Sequence, residues 1–276
     1  MLTYDVLVGL LLGAVQGLAE FLPISSSAHL LVVPHLFQFE DPGLAFDTVL
    51  HLGTLSVVLF FYRHEWLQLF RLENFRKNLN TRSAEFNLLH IAVGCLPAGI
   101  IGLFTHDWIE TNLRSPILSA FTLAFFGILL WLAERKHNQL MATPERAGTT
   151  WTLGLALLIG CAQALALIPG VSRSGVTITA ALFLGRKRSD AARFSFMMST
   201  PLIASAGLLK MSKVLKDIDA ASNNALLTQL ISGFAASVVF GILALHALRW
   251  INQHNRLVWF TWYRLVLAAV IIAVLG

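Results

Sequence analysis

The feature that most constrains this fold is a series of long apolar runs that carry almost no charge. Each run is long enough for one helix to cross about 30 Å of hydrocarbon, and three examples are 117–133, 226–248 and 257–276. The whole chain is 56% hydrophobic and 13% charged, whereas soluble domains carry about 25% charged residues. The runs also lack the polar and apolar alternation of transmembrane β-strands. The sequence therefore predicts an all-α polytopic membrane protein.

The charge and the cysteines exclude several other classes of protein. The formal net charge is +5 at pH 7, but the basic residues lie in short loops between the apolar runs, as membrane topology requires. We therefore expect the lipid bilayer as a partner and no nucleic acid. Cys95 and Cys161 lie in separate apolar segments, and we expect them to pack as small hydrophobic residues.

The chain contains a repeat that divides it into two related halves, about 1–145 and 146–276. Residues 13–20, GAVQGLAE, align with residues 160–167, GCAQALAL, and both copies continue through a proline to a pair of serines. The matched positions are Gly13/Gly160, Gln16/Gln163, Leu18/Leu165, Ala19/Ala166, Ser25/Ser172 and Ser27/Ser174, followed by Gly94/Gly233 and Gly102/Gly241.

Each half is predicted to begin with a helical hairpin that enters and leaves the membrane on one side. The arms that follow the two breaks, 27–37 and 174–185, are too short to span at 1.5 Å per residue. Because three full spans follow in each half, the second half must be inverted relative to the first, an arrangement that recurs in membrane proteins. The six predicted transmembrane helices are 45–62, 86–104, 117–133, 195–211, 227–248 and 258–275, in addition to the two re-entrant hairpins.

The distribution of basic residues predicts the orientation in the membrane. Arginine and lysine are concentrated in the loops that follow residues 62, 133, 185 and 248, while the opposite side carries Arg114, Lys210, Lys213 and Lys216. Cytoplasmic loops carry the excess of basic residues, so the first group of loops is predicted to be cytoplasmic. The first hairpin then enters from outside and the second from the cytoplasm.

Polar residues interrupt the first apolar stretch in the segment 16–29, QGLAEFLPISSSAH. Gln16 and Glu20 are four residues apart on one helical face, which suits either a functional pair or a plain interhelical hydrogen bond. Pro23 ends the helical ladder, and the three serines that follow exceed what one helix cap requires. His29 lies one turn into the next helix. Because ionisable groups at membrane depth are costly, Glu20 is a functional candidate.

The second break, residues 169–177, reads PGVSRSGVT and again opens a helix. A helix N-terminus presents free N–H groups and the positive end of a dipole, which together favour anions. The guanidinium of Arg173 adds a fork that matches phosphate oxygens. Paired with the first break across a pseudo-two-fold axis, this segment predicts a phosphate cage between two hairpin tips.

The carboxylate of Glu20 needs a separate explanation, because it should repel a phosphate group. A divalent cation, Mg²⁺ or Ca²⁺, could bridge Glu20 to the phosphate, with Gln16 as a second ligand, since both ions prefer hard oxygen donors. Alternatively, Glu20 could act as a general base for a neighbouring serine. The residues alone leave both roles open.

The two broken segments resemble the motifs of the undecaprenyl-diphosphate phosphatase family, the bacitracin-resistance proteins. The family pattern is (E/Q)-x-x-x-E, a serine-rich turn and a histidine, then P-G-x-S-R-S-x-x-T. Here it appears as Gln16 to Glu20, the serines at 25–27, His29 and residues 169–177. The resemblance covers essentially the whole chain. Gln16 stands where other members carry Glu, which removes one carboxylate from a metal site.

The resemblance implies hydrolysis of undecaprenyl diphosphate to undecaprenyl phosphate, which recycles the lipid carrier of peptidoglycan precursors. It places the chain in the bacterial inner membrane and links it to cell wall synthesis, cell shape and antibiotic resistance. The predicted orientation of the first hairpin adds that the active site faces the periplasm. Other lipid diphosphates remain alternative substrates, because nothing in the sequence measures the length of the tail.

Within this resemblance we give each polar residue at the breaks a hypothetical role. Ser26 is the expected nucleophile, Glu20 activates it or holds the cation, and His29 shuttles the proton or is itself the nucleophile. Arg173 would stabilise charge on the phosphoryl oxygens, the dominant contribution in phosphoryl transfer. The expected substrate-binding residues are Gln16, Ser25, Ser27, Ser172, Ser174 and Thr177.

A transporter or lipid flippase is the alternative of a different class, since inverted repeats with opposed broken helices are typical of such proteins. The hydroxyls beside Glu20 and a histidine favour an enzyme, because recognition alone requires donors and no base. Asp47 and His51, also four residues apart, would form a second layer around the site, or pair with each other or with Arg264. The sequence also allows a homodimer, because glycines that permit close helix contact stand at 94, 99, 102, 233 and 241.

Overall fold

The computed structural model describes residues 2–71, 80–141, 150–220, 224–254 and 256–275, and these residues are almost wholly helical. The first half contains α1 (Leu2–Phe21), α2 (Ser26–Phe37), α3 (Leu44–Phe61), α4 (Arg63–Phe70), β1 (Arg82–Ser83), α5 (Leu88–Asn112) and α6 (Pro116–Met141). The second half contains β2 (Trp151–Thr152), α7 (Leu153–Leu165), α8 (Arg173–Phe183), α9 (Arg188–Ala220), α10 (Asn224–Gln253) and α11 (Val258–Leu275). The predicted boundary near residue 145 and the side chains of Lys213 and Lys216 lie outside what the structure describes.

Among the described residues, five helices are long and apolar enough to cross a membrane, which confirms the predicted polytopic all-α protein. They are α1, α5, α6, α10 and α11. The pair α3 and α4, bent by 70°, raises the number of candidate spans to six. The predicted span 195–211 lies within α9, which is longer than expected because it begins at Arg188 and contains 33 residues.

Three features of the fold were not predicted from the sequence. The first arm of the first hairpin, α1, is long enough to span by itself. The helix α4 continues the chain after the bend at Tyr62. The strands β1 and β2 pair antiparallel, with Arg82 opposite Thr152 and Ser83 opposite Trp151, so that the chain after α4 is tied to the start of α7.

The two breaks have the same local structure. Ser25 precedes α2 with φ of 74°, and Ser172 precedes α8 with φ of 69°. Each serine caps its helix through the side chain, which accepts a hydrogen bond from the backbone N–H three residues later, at Ala28 and Gly175. A positive φ is uncommon outside glycine, so this shared geometry supports the predicted correspondence of the two segments.

The helices also pack in two equivalent crossed pairs, and each pair joins one helix from each half. α1 of the first half crosses α10 of the second, where Gly13 contacts Gly233 so closely that an added Cβ would meet its backbone oxygen. α7 of the second half crosses α5 of the first, where Gly160 contacts the backbone of Gly94 in the same way. Gly13 and Gly160 are matched in the repeat, as are Gly233 and Gly94. This arrangement is what a pseudo-two-fold relation requires, and it favours the predicted repeat.

The largest apolar core joins the hairpin tips to the middle of α9. Phe21, which follows Glu20, packs edge-on against Phe196 with ring centroids 5.6 Å apart. Phe194 packs against Trp151 of β2 at 4.7 Å. The core therefore packs α9 against both the first break and the small sheet. Residues of α8 belong to the same core, and this fixes the position of α8.

Candidate active site

Glu20 is the centre of a hydrogen-bonded group at the first break. Glu20 lies in the last turn of α1 and is only 7% exposed. The Ser26 hydroxyl donates to Oε2 at 2.6 Å, and Nε2 of Gln16 donates to the same oxygen at 3.1 Å. A carboxylate in the membrane interior needs such donors, because an unpaired charge there is costly.

Arg173 holds the other oxygen of the same carboxylate. Its Nη2 atom lies 2.6 Å from Oε1 of Glu20, across 153 residues of sequence. Ser26 and Arg173 therefore grip opposite oxygens of Glu20, and the two hairpin tips meet as the sequence predicts. The positive charge also answers how a carboxylate can stand in a phosphate site, because Arg173 offsets its negative charge.

Two polar atoms in this group are buried and have no hydrogen-bond partner in the part of the chain that the structure describes. One is Nη1 of Arg173, a charged donor, and the other is Oε1 of Gln16, an acceptor. Buried polar groups are nearly always satisfied. An unsatisfied guanidinium nitrogen beside two helix N-termini marks the position where an anion would bind.

The serines of the first break connect it to the second. The Ser25 and Ser27 hydroxyls are 3.2 Å apart, and the backbone N–H of Gly170 donates to Ser27 Oγ at 3.4 Å. Ser27 is exposed, so its hydroxyl can still reach a ligand. Ser25 is buried and caps α2, which commits it to holding the turn.

His29 is hydrogen-bonded at both ring nitrogens. Its Nδ1–H donates to the carbonyl of Ser25 at 2.7 Å, and its Nε2 lies 2.6 Å from the hydroxyl of Tyr263. In the neutral imidazole Nε2 must be the acceptor, so Tyr263 donates to it. Two hydrogen bonds thus fix the orientation of the ring, and one of them joins it to the turn that precedes Ser26.

Three residues of the second break serve its architecture more directly than expected. Ser172 caps α8, and Ser174 donates to the carbonyl of Leu22 at 3.2 Å. Thr177 is fully buried, donates to the carbonyl of Arg173 at 2.7 Å and lies 2.6 Å from Ser195 Oγ. Their hydroxyls already bond to protein atoms and help to position the turn, and each keeps further hydrogen-bonding capacity, so the phosphate contacts predicted for Ser174 and Thr177 stay predictions.

Asp47 and His51 lie one turn apart on α3, and Nδ1 of His51 bonds to the backbone carbonyl of Asp47 at 2.7 Å, while their side chains have other partners. His51 lies in the second layer of the site, with Nε2 3.7 Å from Oε2 of Glu20. Asp47 instead lies 3.6 Å from Arg114, a residue that also pairs with Asp41 at 2.7 Å. Neither pairs with Arg264, because backbone carbonyls surround that guanidinium.

Comparison with known proteins assigns the chain to a family. The family model of bacitracin resistance protein BacA matches residues 9–270. The chain belongs to that family. It is 44% identical over 264 residues to an undecaprenyl-diphosphatase of Elusimicrobium minutum, with 95% of each chain covered. It is 42% identical over 268 residues to an undecaprenyl-diphosphatase of Saccharophagus degradans, with 96% of each covered. An undecaprenyl-diphosphatase of Desulforudis audaxviator is 40% identical over 267 residues, also with 96% coverage of both.

Arg264 is part of this BacA-family site, although the sequence alone did not determine its partners. It is fully buried, and its guanidinium donates to the carbonyls of Pro23 at 3.4 Å, Gly170 at 3.2 Å and Val171 at 2.9 Å. Pro23 belongs to the first break and the other two belong to the second. One side chain of α11 therefore ties both turns together. Its charge at membrane depth was the only signal in the sequence.

Tyr263 was missed altogether, because a tyrosine in an apolar helix is usually an ordinary packing residue. Only the fold shows that it faces His29 across 234 residues of sequence. Tyr263 is 45% exposed and its neighbour Trp262 is 64% exposed, so exposure alone does not distinguish the two adjacent aromatic residues.

Proposed function

We propose that this BacA-family chain is an undecaprenyl-diphosphate phosphatase, which hydrolyses undecaprenyl diphosphate to undecaprenyl phosphate and inorganic phosphate. The observation that carries the proposal is the carboxylate of Glu20, held on one oxygen by Ser26 and on the other by Arg173. This joins a base, a hydroxyl nucleophile and a phosphate-binding cation within a membrane protein. The substrate is inferred from the name of the relatives, undecaprenyl-diphosphatase. The activity recycles the lipid carrier for peptidoglycan and would confer bacitracin resistance.

The reaction begins with the short hydrogen bond between Ser26 and Glu20. As Ser26 Oγ attacks the terminal phosphorus, its proton passes to Glu20 Oε2, 2.6 Å away, by general base catalysis. An O–P bond forms to Ser26, and the bond from that phosphorus to the bridging oxygen breaks to release undecaprenyl phosphate. Glu20 passes the proton taken from Ser26 to the departing undecaprenyl phosphate, and the freed carboxylate then takes a proton from the water that hydrolyses the phosphoserine to inorganic phosphate.

Arg173 binds the charge of the transferred group. Its free Nη1 atom donates to a phosphoryl oxygen while Nη2 keeps Glu20 in place. The N–H groups that begin α2 and α8 add further donors at the same point, because the first turn of a helix leaves its donors unpaired. Such fixed donors contribute most of the rate enhancement in phosphoryl transfer.

The geometry favours Ser26 over His29 as the nucleophile. His29 is hydrogen-bonded at both ring nitrogens, to the carbonyl of Ser25 and the hydroxyl of Tyr263, so attack through Nε2 would first break the bond to Tyr263. We expect Ser26→Ala to lose nearly all turnover and His29→Ala to retain a measurable fraction. Phosphate release by each purified variant distinguishes them, and near-normal turnover of Ser26→Ala would remove serine from this role.

We also propose that a divalent cation, Mg²⁺ or Ca²⁺, assists the reaction. Among the described residues no group of three His, Cys, Asp or Glu side chains could hold a metal ion, so the protein does not supply a complete ligand set. Glu20 and the unpartnered Oε1 of Gln16 fit an ion that takes its other ligands from diphosphate and water, as Mg²⁺ does. When bound, the cation would neutralise charge on the diphosphate. Activity that survives a strong chelator would contradict this part.

We further propose that the chain resides in the bacterial inner membrane with its site open to the periplasm. The ion pairs of Arg114 with Asp41 and Asp47 lie at the start of α3, the end away from the basic loops. His51, one turn after Asp47 on α3, lies close to Glu20. Ser27→Cys should therefore react with a membrane-impermeant maleimide added outside intact cells, in a background that replaces Cys95 and Cys161. Labelling only after the cells are broken would reverse the orientation.

The assay that tests the central proposal is phosphate release by purified protein in detergent. We expect isoprenyl diphosphates to be hydrolysed, with activity lost in Glu20→Ala and Arg173→Ala and kept in the matched control Arg114→Ala. Substrates of different tail length test the preference for undecaprenyl diphosphate. Binding of the diphosphate without release of phosphate would favour a transporter or flippase instead.

Three of the five glycines that suggested a homodimer are already used in contacts within the chain. Gly94, Gly233 and Gly241 all contact side chains or backbone of their own chain. We therefore attach no dimer to the proposed mechanism, and mass measurement in detergent tests this directly.

A further inference from the structure

A second polar cavity lies at the other end of the helices, away from Glu20. It has a volume of about 620 Å³, within the range of about 300–1,000 Å³ for ligand pockets. The ends of α3, α6 and α10 and the start of α9 form its walls. These are the same ends that carry the four basic loops, so the cavity is on the side predicted to be cytoplasmic.

Four basic residues line this cavity, Lys187, Arg188, Arg193 and Arg249, against one acidic residue, Glu65. The bias of basic residues to cytoplasmic loops explains why they lie at this end of the molecule. It does not require that four of them line one enclosed space. Their convergence is therefore a property of the fold, and the net charge of the lining is strongly positive.

Polar atoms without partners are also found in the cavity lining. His137 is 2% exposed, lines the cavity, and has no hydrogen-bond partner for Nδ1 among the described residues. The same holds for Nε of Arg193 and Oδ1 of Asn252. Behind them, Arg188 is held by Glu134 at 3.4 Å and Asn138 at 2.5 Å, which fixes one guanidinium at the wall. The unpartnered Nε–H of Arg193 is a donor, and Nδ1 of His137 donates when it carries the ring proton, which indicates that a ligand with acceptor oxygens completes this group.

The helix α9 adds backbone donors to the same wall. It begins at Arg188, and Lys187, Ser189 and Ala192 line the cavity around its first turn. The N–H groups of a first helical turn are unpaired within the helix and attract anions. The lining thus combines forked guanidinium donors, an ammonium and a helix N-terminus, which together match phosphate oxygens.

The remaining walls are apolar and identify the rest of the ligand. Phe61, Met141, Leu245 and Leu248 line the cavity together with Phe196, and the cavity lies among helices that cross the membrane. We propose that this cavity is a second binding site, which takes the phosphate group of a membrane lipid with its acyl or isoprenyl chains against the apolar wall. The site is distinct from the catalytic centre and does not depend on the proposed hydrolysis.

Phe196 connects the second cavity to the active site through one ring contact. It lines the cavity and contacts Phe21, the neighbour of Glu20, at 5.6 Å between ring centroids. The preceding residue, Ser195, lies 2.6 Å from Thr177 of α8. A ligand in the cavity therefore contacts the segment of α9 that supports the second break.

Binding to the full-length protein in detergent tests the proposal, measured by native mass spectrometry and by thermal stabilisation. We would carry Arg173→Ala throughout, so that phosphate binding at the active site does not contribute. We expect phosphatidic acid, a phosphomonoester lipid, to bind at least about tenfold more tightly than phosphatidylcholine. The double variant Lys187→Gln and Arg249→Gln should lose about tenfold or more of this affinity, since charge-assisted hydrogen bonds are the strong ones. Both side chains are exposed, so the variant should fold.

Arg135→Gln is the matched control, because Arg135 lies at the same end of α6, stacks over Trp131 at 5.7 Å and does not line the cavity. It should bind phosphatidic acid like the parent protein. Equal binding of the two lipids, or an equal loss in Arg135→Gln, would overturn the proposal. Stabilisation by inorganic phosphate as strong as that by phosphatidic acid would assign the cavity to free phosphate and overturn the lipid part.

Discussion

At the scale of single residues, the active site depends on how many groups share one carboxylate. Ser26, Gln16 and Arg173 all bond to Glu20, and His51 stands just beyond them. A nucleophile and its base need such contact before the substrate arrives. In the proposed mechanism the phosphoryl group binds at Nη1 of Arg173, which is buried and has no hydrogen-bond partner among the described residues.

Arg173→Lys tests whether the fork of the guanidinium is required, or only its charge. A lysine can reach Glu20 or the phosphate, but its single ammonium cannot bridge both with fixed geometry. We expect kcat to fall about 100- to 1,000-fold, the usual cost of losing one preorganised donor. Arg114→Lys, in the exposed ion pair with Asp41, should be close to the parent enzyme. A fully active Arg173→Lys would show that charge alone suffices.

Tyr263→Phe tests the positioning of His29. The substitution keeps the ring and removes the hydroxyl that donates to Nε2. We expect a fall in kcat of about tenfold, smaller than the full effect of a catalytic acid or base, with KM unchanged and an altered pH profile of kcat. Trp262→Phe, on the adjacent exposed residue, is the control. An unchanged pH profile in Tyr263→Phe would leave His29 without this partner.

At the scale of elements, the two hairpins could be predicted because proline and serine interrupt apolar sequence in a way that no continuous helix allows. The ends of α2 and α8 follow from the same signals. The strands β1 and β2 could not be predicted, because each has only two residues and leaves no periodic pattern. The bend between α3 and α4 was missed for a related reason, since no proline or glycine marks it at Tyr62.

Gly170→Ala tests how tightly the tip of the second hairpin is packed. Gly170 has φ of 88°, and an added Cβ would lie 2.5 Å from the carbonyl oxygen of Ser119 and against the hydroxyl of Thr122. Both the backbone strain and the clash destabilise the protein. We expect a loss of about 2 kcal/mol or more and a melting temperature lower by about 5 °C. Gly154→Ala should be harmless, because no atom lies within 4 Å of its added Cβ.

At the scale of the whole molecule, the two breaks meet, because Arg173 of the second bonds to Glu20 of the first. The sequence predicted this meeting, because two matched segments with an odd number of spans between them must face each other. It did not predict which side chain holds the tips in register. Arg264 could equally have joined Asp47 or His51, and only the packing of α11 against α6 decides that it reaches backbone carbonyls.

Arg264→Met tests this central contact. The substitution fills a similar volume but leaves the carbonyls of Pro23, Gly170 and Val171 without their donor. Each buried group left unpaired costs about 1–3 kcal/mol, so we expect a clear drop in melting temperature together with loss of phosphate release. Arg264→Lys should recover part of both, because it restores one donor. A stable and active Arg264→Met protein would show that the turns hold themselves.

The reach of Arg264 has a consequence for biosynthesis. The residue is separated from Pro23 by 241 positions and from Val171 by 93, so a ribosome has completed both turns long before it adds the side chain that joins them. Until then the two turns are joined by their own contacts, such as Arg173 to Glu20 and Ser174 to Leu22, without the guanidinium that bonds to both. Hydrolytic competence should therefore switch on late, and translation products that stop before α11 should be inert towards the lipid carrier.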